Sequence, residues 1–255
     1  MGHDVRMTDR DDRLVELVRT HGMATVETLS RELGLGPSSI RRDLHRLSVD
    51  GRLVRTYGGA MLASTSVGGG PAHAPRALAE KQRMAVAAAG LVSDGQTIVV
   101  TSGSTTLEFA RQLVDRKGLT VVTNSLDVAQ VLLDRDGIQL VVLGGVVRPR
   151  MHSLLGHLTE QACREMRADA LFMGIGAISL ERGLMNDYLP EVLTDRAVRS
   201  MANTVVVVAD SSKFGLVAPA LVFGLDEVDV IVTDSGVRPE VVEDLTARQI
   251  RVIVA

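Results

Sequence analysis

Apolar residues recur at helical spacing in three short segments, at residues 14–18, 26–33 and 40–47. The first segment ends at His21-Gly22. Thr25 stands where the N-cap of a second helix is expected, and Gly34 stands where its C-cap is expected. Pro37 falls in the first turn of a third helix. The pattern therefore predicts three short helices, with a tight turn between the second and the third.

The predicted third helix has one apolar face, formed by Ile40, Leu44 and Leu47, and one basic face. A short basic hairpin at residues 51–60 follows it. This order is typical of a winged helix-turn-helix, in which the third helix enters the major groove of DNA and the wing holds the flanking backbone. The residues predicted to contact double-stranded DNA are Ser38, Ser39, Arg41, Arg42, His45, Arg46, Arg52, Arg55 and Tyr57.

Charge strengthens this interpretation only locally. Residues 37–57 hold five arginines against two aspartates, whereas the whole chain has a net charge of -3. A charge run on a helix is commonly a solvated face, and that alternative applies here. A basic stripe on an acidic protein is better explained by contacts with phosphates.

Beyond residue 75 the pattern changes to short β-branched runs that alternate with amphipathic segments. The predicted strands are 97–101, 119–123, 139–143, 170–174, 204–209, 229–233 and 251–254. The predicted helices are 80–91, 105–114, 126–134, 158–166 and 189–201. Several strands are continuously apolar, which suits a sheet covered on both faces. The alternation predicts a Rossmann-like, mainly parallel α/β domain.

Small polar residues follow several of these strands, where ligands collect in parallel sheets. The loop at residues 102–106 also opens a helix, so that its N–H groups and hydroxyls suit a phosphate. Lys213 offers a flexible cation, and Asp210 suits a sugar hydroxyl. The candidate effector-binding residues are Ser102, Gly103, Ser104, Thr105, Thr106, Asn124, Ser125, Gly144, Gly145, Asp210 and Lys213. Each loop alone is also explained by ordinary capping and turns.

The predicted domains are a winged helix-turn-helix at 8–62, a Gly-, Ser- and Pro-rich linker at 63–75 and an α/β domain at 76–255. The single cysteine, Cys163, excludes an internal disulfide and fits a reducing compartment. The histidines show no metal-ligand spacing, so neither a metal nor a cofactor is expected. No membrane-spanning run or signal-peptide core is visible, which predicts a cytoplasmic protein with no membrane partner.

The motif Ile-Arg-Arg-Asp-Leu at 40–44, followed by Gly-x-Leu-x-Arg-x-x-Gly-Gly-Ala at 51–60, resembles the winged helix-turn-helix of the DeoR family of bacterial transcriptional regulators. The rest of the chain resembles that family's sugar-phosphate-sensing domain, whose fold resembles ribose-5-phosphate isomerase. The resemblance implies phosphate contacts at Gly103, Ser104, Thr105, Thr106 and Lys213. It also implies that the site is lined by Asn124, Ser125, Gly144 and Gly145.

Three departures from the family pattern bear on the effector. Thr101 stands where relatives commonly have Asp, and residues 183–191 lack the Thr-Thr-Pro-Asn that often follows Gly-Leu. Asp195 stands where relatives commonly show Lys. An anion close to a phosphate in a dry site would cost a few kcal/mol. Either Asp195 faces away from the ligand, or the ligand is not the usual one.

The alternative to a regulator is an enzyme that resembles a sugar-phosphate isomerase. Proton transfer between sugar carbons needs a positioned carboxylate. The segment 172–179, where the isomerases carry an Asp-rich loop, has no acid. Glu191 and Asp210 remain as possible bases. The fused DNA-binding module makes sensing the simpler account, with a regulator whose sensor is degenerate as a further alternative.

The resulting expectation is a repressor of carbohydrate metabolism genes, controlled by a phosphorylated sugar or polyol. One helix-turn-helix covers only half of a DNA site, so a homodimer or a higher homo-oligomer is expected.

Overall fold

The computed structural model describes residues 4–21, 23–49, 53–56, 59–62 and 75–255. The chain forms two compact units, Met1–Ser66 and Val67–Ala255. The predicted linker at 63–75 lies outside the described residues, apart from Pro75. Arg52 and Tyr57 also lie outside them.

The N-terminal unit consists of short helices and a small sheet. Its elements are α1 (Asp4–His21), β1 (Met23–Thr25), α2 (Val26–Leu33), α3 (Pro37–Val49), β2 (Leu53–Thr56) and β3 (Gly59–Leu62). Thr25 caps α2, because its Oγ1 accepts a hydrogen bond from Thr28 N at 3.1 Å. Gly34 ends α2 in the left-handed conformation, with φ of 65°. The three predicted helices and both caps are confirmed.

The wing is an antiparallel hairpin of β2 and β3, and β3 also pairs with β1. A strand of three residues carries too little pattern to be predicted, and β1 was missed for that reason. At the β1–β3 pair, a Cβ on Gly59 would lie 2.3 Å from the carbonyl oxygen of Ala24. The backbone approach of the wing to β1 therefore requires glycine at position 59.

The C-terminal unit alternates helices and strands. Its first elements are α4 (Pro75–Ala89), β4 (Thr97–Val100), α5 (Ser104–Arg111), β5 (Leu119–Thr123), α6 (Leu126–Leu132), β6 (Ile138–Val142), β7 (Val146–Arg148) and β8 (Ser153–Leu155). They are followed by α7 (His157–Arg164), β9 (Ala168–Met173), β10 (Ala177–Ser179), β11 (Gly183–Asn186), α8 (Leu189–Arg199), β12 (Ala202–Val208), β13 (Ala220–Phe223), β14 (Val230–Thr233), α9 (Pro239–Ala247) and β15 (Arg251–Val254).

Within residues 75–255, seven parallel strands form the central sheet in the order β15-β14-β12-β9-β4-β5-β6. These are the seven strands predicted from the sequence, with ends shifted by at most one or two residues. The mainly parallel α/β fold is thus confirmed. Continuously apolar runs succeed as strands here because both faces of the sheet are buried.

Helices cover the sheet on both faces. Met84 of α4, Phe109 of α5 and Val128 of α6 belong to one apolar core, in which the ring of Phe109 stacks on Phe172 with centroids 4.4 Å apart. The other core contains side chains of α7, α8 and α9. In the described part of the chain, no helix is both long and apolar enough to cross a membrane.

Three features of this unit were not predicted. They are the β7–β8 hairpin, the small antiparallel sheet β10-β11-β13 and the helix α9. The first two consist of strands of three or four residues, which are too short for a reliable alternation. All three lie between or after the parallel strands and do not change the order of the main sheet.

Candidate functional site

The face of α3 opposite its core side is exposed. Ile40, Leu44 and Leu47 are completely buried, and this orientation turns Arg41 and Arg42 towards solvent. In the described part of the chain, neither arginine forms an ion pair. Two adjacent guanidinium groups without a carboxylate partner among the described residues suit the phosphates or base edges of DNA.

The remaining predicted residues of α3 lie at its start and on its flank. Ser38 and His45 are exposed, and Ser39 is half-buried. Gly36 O accepts hydrogen bonds from Ser39 N at 3.0 Å and from Ile40 N at 3.1 Å. The loop after α2 therefore leads directly into the first turn of α3, as predicted. These three side chains stay predicted DNA contacts.

Arg46 has a different environment from Arg41 and Arg42. Its guanidinium bonds Asp11 of α1, with Nη2 2.7 Å from Oδ1, and Nη2 lies 3.4 Å from Asp43 Oδ1. The hydrogen bond from Arg46 to Asp11 is the main reason why the pKa of Arg46 is raised. Arg46 was predicted to contact DNA, yet its cationic group is directed to carboxylates of the protein itself.

The wing residues are only partly described. The backbone of Arg55 lies in β2 opposite Ala60, and its side chain is outside the described atoms. Arg52 and Tyr57 lie outside the described residues. Their contacts with DNA stay predictions.

In the C-terminal unit, the loop at residues 102–106 joins the carboxyl end of β4 to α5. Gly103 is the N-cap of α5, and its carbonyl accepts hydrogen bonds from Leu107 N at 2.9 Å and Thr106 Oγ1 at 3.0 Å. Ser102 and Ser104 are half-buried, whereas Thr105 and Thr106 are buried. Part of the loop is therefore accessible at a helix N-terminus, where N–H groups attract anions.

Lys81 of α4 reaches this loop. Its Nζ donates a hydrogen bond to Ser104 Oγ at 2.9 Å, and the residue is 8% exposed. Burial lowers the pKa of Lys81, and Lys213 lowers it further, whereas Asp210 opposes the shift. Lys81 and Lys213 thus interact electrostatically beside the predicted phosphate loop.

Lys81 was missed from the sequence because it falls inside a predicted helix, away from the strand ends. One signal was available: the chain has lysine at only three positions, 81, 117 and 213, and its other cations are arginines or histidines. Two of the three lysines lie at the same edge of the sheet.

The segment of Asp210 and Lys213 is a short turn held by two aspartates. Asp210 Oδ1 accepts a hydrogen bond from Ser212 N at 3.0 Å. Asp234, buried at the end of β14, accepts bonds from Ser211 N at 2.6 Å and Ser211 Oγ at 2.9 Å. Burial alone would raise the pKa of Asp234, but the hydrogen bonds it accepts lower it. The charged carboxylate therefore fixes the turn that carries Lys213.

Three of the other candidate residues have roles in folding. Ser125 caps α6, with Oγ 3.2 Å from Val128 N. A Cβ on Gly145 would lie 2.3 Å from Thr159 Oγ1. Asn124 Nδ2 donates to Leu154 O at 3.3 Å, while its buried Oδ1 accepts no hydrogen bond from the described residues. Ligand contacts are not needed to explain Ser125 and Gly145. Asn124 is distinguished by its unpartnered acceptor.

Gly144 is exposed, and its carbonyl accepts a bond from Thr159 Oγ1 at 2.5 Å. Thr101 is buried, and its Oγ1 accepts a bond from Gly174 N at 3.3 Å, which ties the ends of β4 and β9 together. Thr101 therefore supplies a structural bond at the position where the family resemblance predicts Asp.

Asp195 of α8 is buried within a group of polar side chains. It accepts a hydrogen bond from Asn186 Nδ2 at 2.7 Å. Burial, and then the nearby Glu191, raise the pKa of Asp195 well above its usual range. Glu191 is paired with Arg148 and accepts a bond from Ser153 Oγ at 3.3 Å. A raised pKa favours the neutral acid, which reduces the repulsion that a charged Asp195 would exert on a phosphate.

Among the described residues, His, Cys, Asp and Glu side chains form no group of three or more that could hold a metal ion. The polar groups at the carboxyl ends of the parallel strands are hydroxyls, backbone N–H groups, two lysines and carboxylates.

A helix-turn-helix with a wing, joined in one chain to a parallel α/β unit with a cationic edge, defines a ligand-responsive DNA-binding protein as a class. Residues 10–66 match the model of the DeoR-like helix-turn-helix domain, and residues 76–235 match that of the DeoR C terminal sensor domain. The chain belongs to the DeoR family of transcriptional regulators.

Two relatives illustrate this membership. The chain is 35% identical over 234 residues to the transcriptional repressor AccR of Agrobacterium fabrum, covering 90% of each chain. It is 31% identical over 249 residues to the glycerol-3-phosphate regulon repressor of Escherichia coli K12, covering 97% of this chain and 98% of the relative. The relatives are regulators, and this chain is a regulator rather than an enzyme.

Solved structures align more loosely. The ribose 5-phosphate isomerase A of Methanocaldococcus jannaschii aligns with a TM-score of 0.39 at 23% identity, covering 52% of this chain and 53% of that one. An alignment of this quality carries no information about the chemistry of the present site.

Proposed function

We propose that the protein is a repressor of carbohydrate metabolism genes, and that a phosphorylated sugar or polyol bound at the carboxyl edge of the central sheet controls its binding to DNA. The observation that carries this proposal is the contact between Lys81 Nζ and Ser104 Oγ at 2.9 Å, with Lys213 close enough to lower the pKa of Lys81. Burial is the largest cause of the lowered pKa of Lys81, and an anion bound beside it would stabilise the charged ammonium that burial disfavours.

The phosphate is assigned to the loop at residues 102–106. The first N–H groups of α5 and the Ser104 hydroxyl are donors, and Lys81 and Lys213 supply positive charge. A phosphate bound here would replace Ser104 as a partner of Lys81 or share it. The phosphate would also favour the charged form of Lys81, because a nearby anion raises the pKa of a lysine.

The rest of the effector needs acceptors for its hydroxyl groups. Asp210 carries a carboxylate close to Lys81, and Asn124 has a buried Oδ1 without a partner among the described residues. Unpartnered buried acceptors are costly, so a ligand hydroxyl at Asn124 would contribute to binding. This chemistry suits a polyhydroxylated phosphate ester.

On the DNA side, Arg41 and Arg42 are assigned to the major groove, with Ser38, Ser39 and His45 beside them. One α3 covers one half-site, so two copies of the chain act together, with the C-terminal units as the source of dimer contacts. Two relatives carry names that point in the same direction, namely a repressor and a glycerol-3-phosphate regulon repressor. Such a protein would act on chromosomal DNA in the cytoplasm.

Thermal unfolding of the purified protein with a panel of sugar and polyol phosphates, each beside its unphosphorylated parent, tests the effector assignment. A ligand at a hundredfold its Kd stabilises the folded state by about 2.7 kcal/mol, which shifts the midpoint by several degrees. We expect a shift with a phosphorylated compound and none with its parent. Binding of that compound should also change affinity for the protein's own upstream DNA.

A lysine pair supplies the matched control. Lys213→Ala should remove most of the shift in unfolding midpoint. Lys117→Ala should keep it, because Lys117 is exposed just before β5, at the amino ends of the parallel strands. An unchanged shift in Lys213→Ala would contradict the phosphate site. No shift with any compound would favour a sensor that Thr101 and Asp195 have altered or disabled.

A further inference from the structure

Two arginines and two aspartates join α1 to α3 in the N-terminal unit. Arg46 of α3 donates to both carboxylate oxygens of Asp11 on α1, with Nη2 2.7 Å from Oδ1. Arg10 of α1 donates in turn to Asp43 of α3, which also lies beside Arg46. Each helix supplies one cation and one anion. We call these four side chains the α1–α3 ion network.

The carboxylates of this network lie on the core side of their helices. Asp43 follows Ile40 by three positions and precedes Leu47 by four, so it shares their face of α3. Asp11 precedes Leu14 by three positions in the same way. The two aspartates are 7% and 8% exposed. A carboxylate this deeply buried needs a cation and hydrogen bonds, and the two arginines provide them.

This geometry divides the arginines of α3 into two kinds. Arg41 and Arg42 are exposed, and the described residues give them no ion pair. Arg46 donates two parallel N–H groups to the carboxylate of Asp11 in a bidentate pair. This geometry fixes the orientation of the two side chains as well as their distance. Asp11 therefore competes directly with any DNA phosphate for Arg46.

We propose that Arg46 and Arg10 are positioning residues that hold α3 at a fixed angle to α1, so that Arg41 and Arg42 face the DNA, and that Arg46 itself does not contact DNA. This inference rests on the assignment of α3 as the helix that reads the DNA. It changes the role predicted for Arg46 from the sequence.

The variant Asp11→Asn separates positioning from simple electrostatics. It removes a negative charge, which by itself attracts DNA more strongly. If the network positions α3, affinity for the protein's own upstream DNA should instead fall, by about tenfold, because the bidentate partner of Arg46 is lost. Glu27→Gln makes the same charge change at an exposed position and should bind as tightly as the wild type or more tightly.

The salt dependence of DNA binding tests whether Arg46 touches a phosphate. Each phosphate contact contributes about 0.9 to the slope of log affinity against log salt. Arg41→Ala and Arg42→Ala measure contacts of α3 in the same assay. Arg46→Ala should weaken binding and leave the slope unchanged. If Arg46→Ala does not fold, Arg46→Gln removes the charge but keeps a polar side chain, and it should bind more weakly with the wild-type slope.

Two results would overturn the inference. A slope reduced by about 0.9 in Arg46→Ala or Arg46→Gln would make Arg46 a phosphate contact. A lower unfolding midpoint in Asp11→Asn, with wild-type affinity and slope in the folded protein, would assign the network to stability alone. Failure of the assignment of α3 is distinguishable, since Arg41→Ala and Arg42→Ala would then leave affinity unchanged.

Discussion

The two units of this protein present positive charge in contrasting ways. On α3, Arg41 and Arg42 stand exposed on a helix whose other face is buried. At the carboxyl ends of the central strands, Lys81 is buried and donates a hydrogen bond to Ser104, and burial lowers its pKa. Exposed guanidinium groups suit a long polyanion that is read through many screened contacts. A buried lysine suits one small anion, because each contact is stronger where water is excluded.

The difference shows why arginine suits the DNA-binding helix and lysine suits the proposed phosphate site. Arginine stays charged in any environment and offers a planar fork of donors, whereas lysine is a compact charge whose protonation responds to burial. The chain keeps two of its three lysines for the sheet edge. Its DNA-reading helix uses arginine.

The largest expected effect is on DNA binding. The double variant Arg41→Ala/Arg42→Ala should lose about 2–6 kcal/mol of binding free energy, since an arginine contributes about 1–3 kcal/mol where it forms a bidentate contact with a base. Fluorescence anisotropy with labelled upstream DNA measures this loss. Effector-induced thermal stabilisation should be unaffected, which shows that the C-terminal unit of the variant is intact. Wild-type affinity in the double variant would remove the contrast between the units.

A smaller effect is expected at the lysine. Lys81→Met should weaken effector binding by about 1.5–3 kcal/mol, the range for a hydrogen bond to a charged group. In the wild type, effector affinity should also fall as pH rises through the lowered pKa of Lys81, because the neutral amine no longer attracts the phosphate. Isothermal titration calorimetry across alkaline pH measures both effects.

The matched variant is Lys117→Met, which should keep the wild-type affinity and the wild-type pH profile. In Lys81→Met the alkaline decline should be reduced. An identical decline in Lys81→Met and in the wild type would place the titrating group elsewhere and break the assignment of Lys81.

The smallest effect concerns Asp195. Because burial and Glu191 raise its pKa in the folded state above the unfolded value, the folded state binds this proton more tightly. The resulting stability is complete below the unfolded pKa and is lost as pH rises through the folded pKa, at no more than about 1.4 kcal/mol per pH unit. Asp195→Asn should therefore flatten the pH dependence of unfolding.

Urea unfolding of the wild type and Asp195→Asn at several pH values checks this expectation. Glu191 and Arg148 are the charged groups that influence Asp195, and the variant keeps both of them. A pH profile that is the same in both proteins would show that Asp195 does not carry the difference in proton binding.

The extent of sequence-based prediction differed between the fold and the site. The seven parallel strands were predicted because β-branched runs, such as the continuously apolar 205–209, favour strands that are buried on both faces of a sheet. The caps Thr25 and Gly34 were predicted because capping is local chemistry. Lys81 was missed because only the packing of α4 brings its side chain to Ser104, 23 positions further along the chain.

The sequence by itself determined the three N-terminal helices, the seven parallel strands and the family, because these depend on local periodicity and on motifs that are contiguous along the chain. Only the tertiary structure decided how charged groups are used. Arg41 and Arg46 are indistinguishable as letters in a basic helix, yet Arg46 lies against Asp11, 35 positions away, and Arg41 lies exposed. The reason is physical: the state and role of a charge depend on its solvation and on its neighbours, and folding sets both.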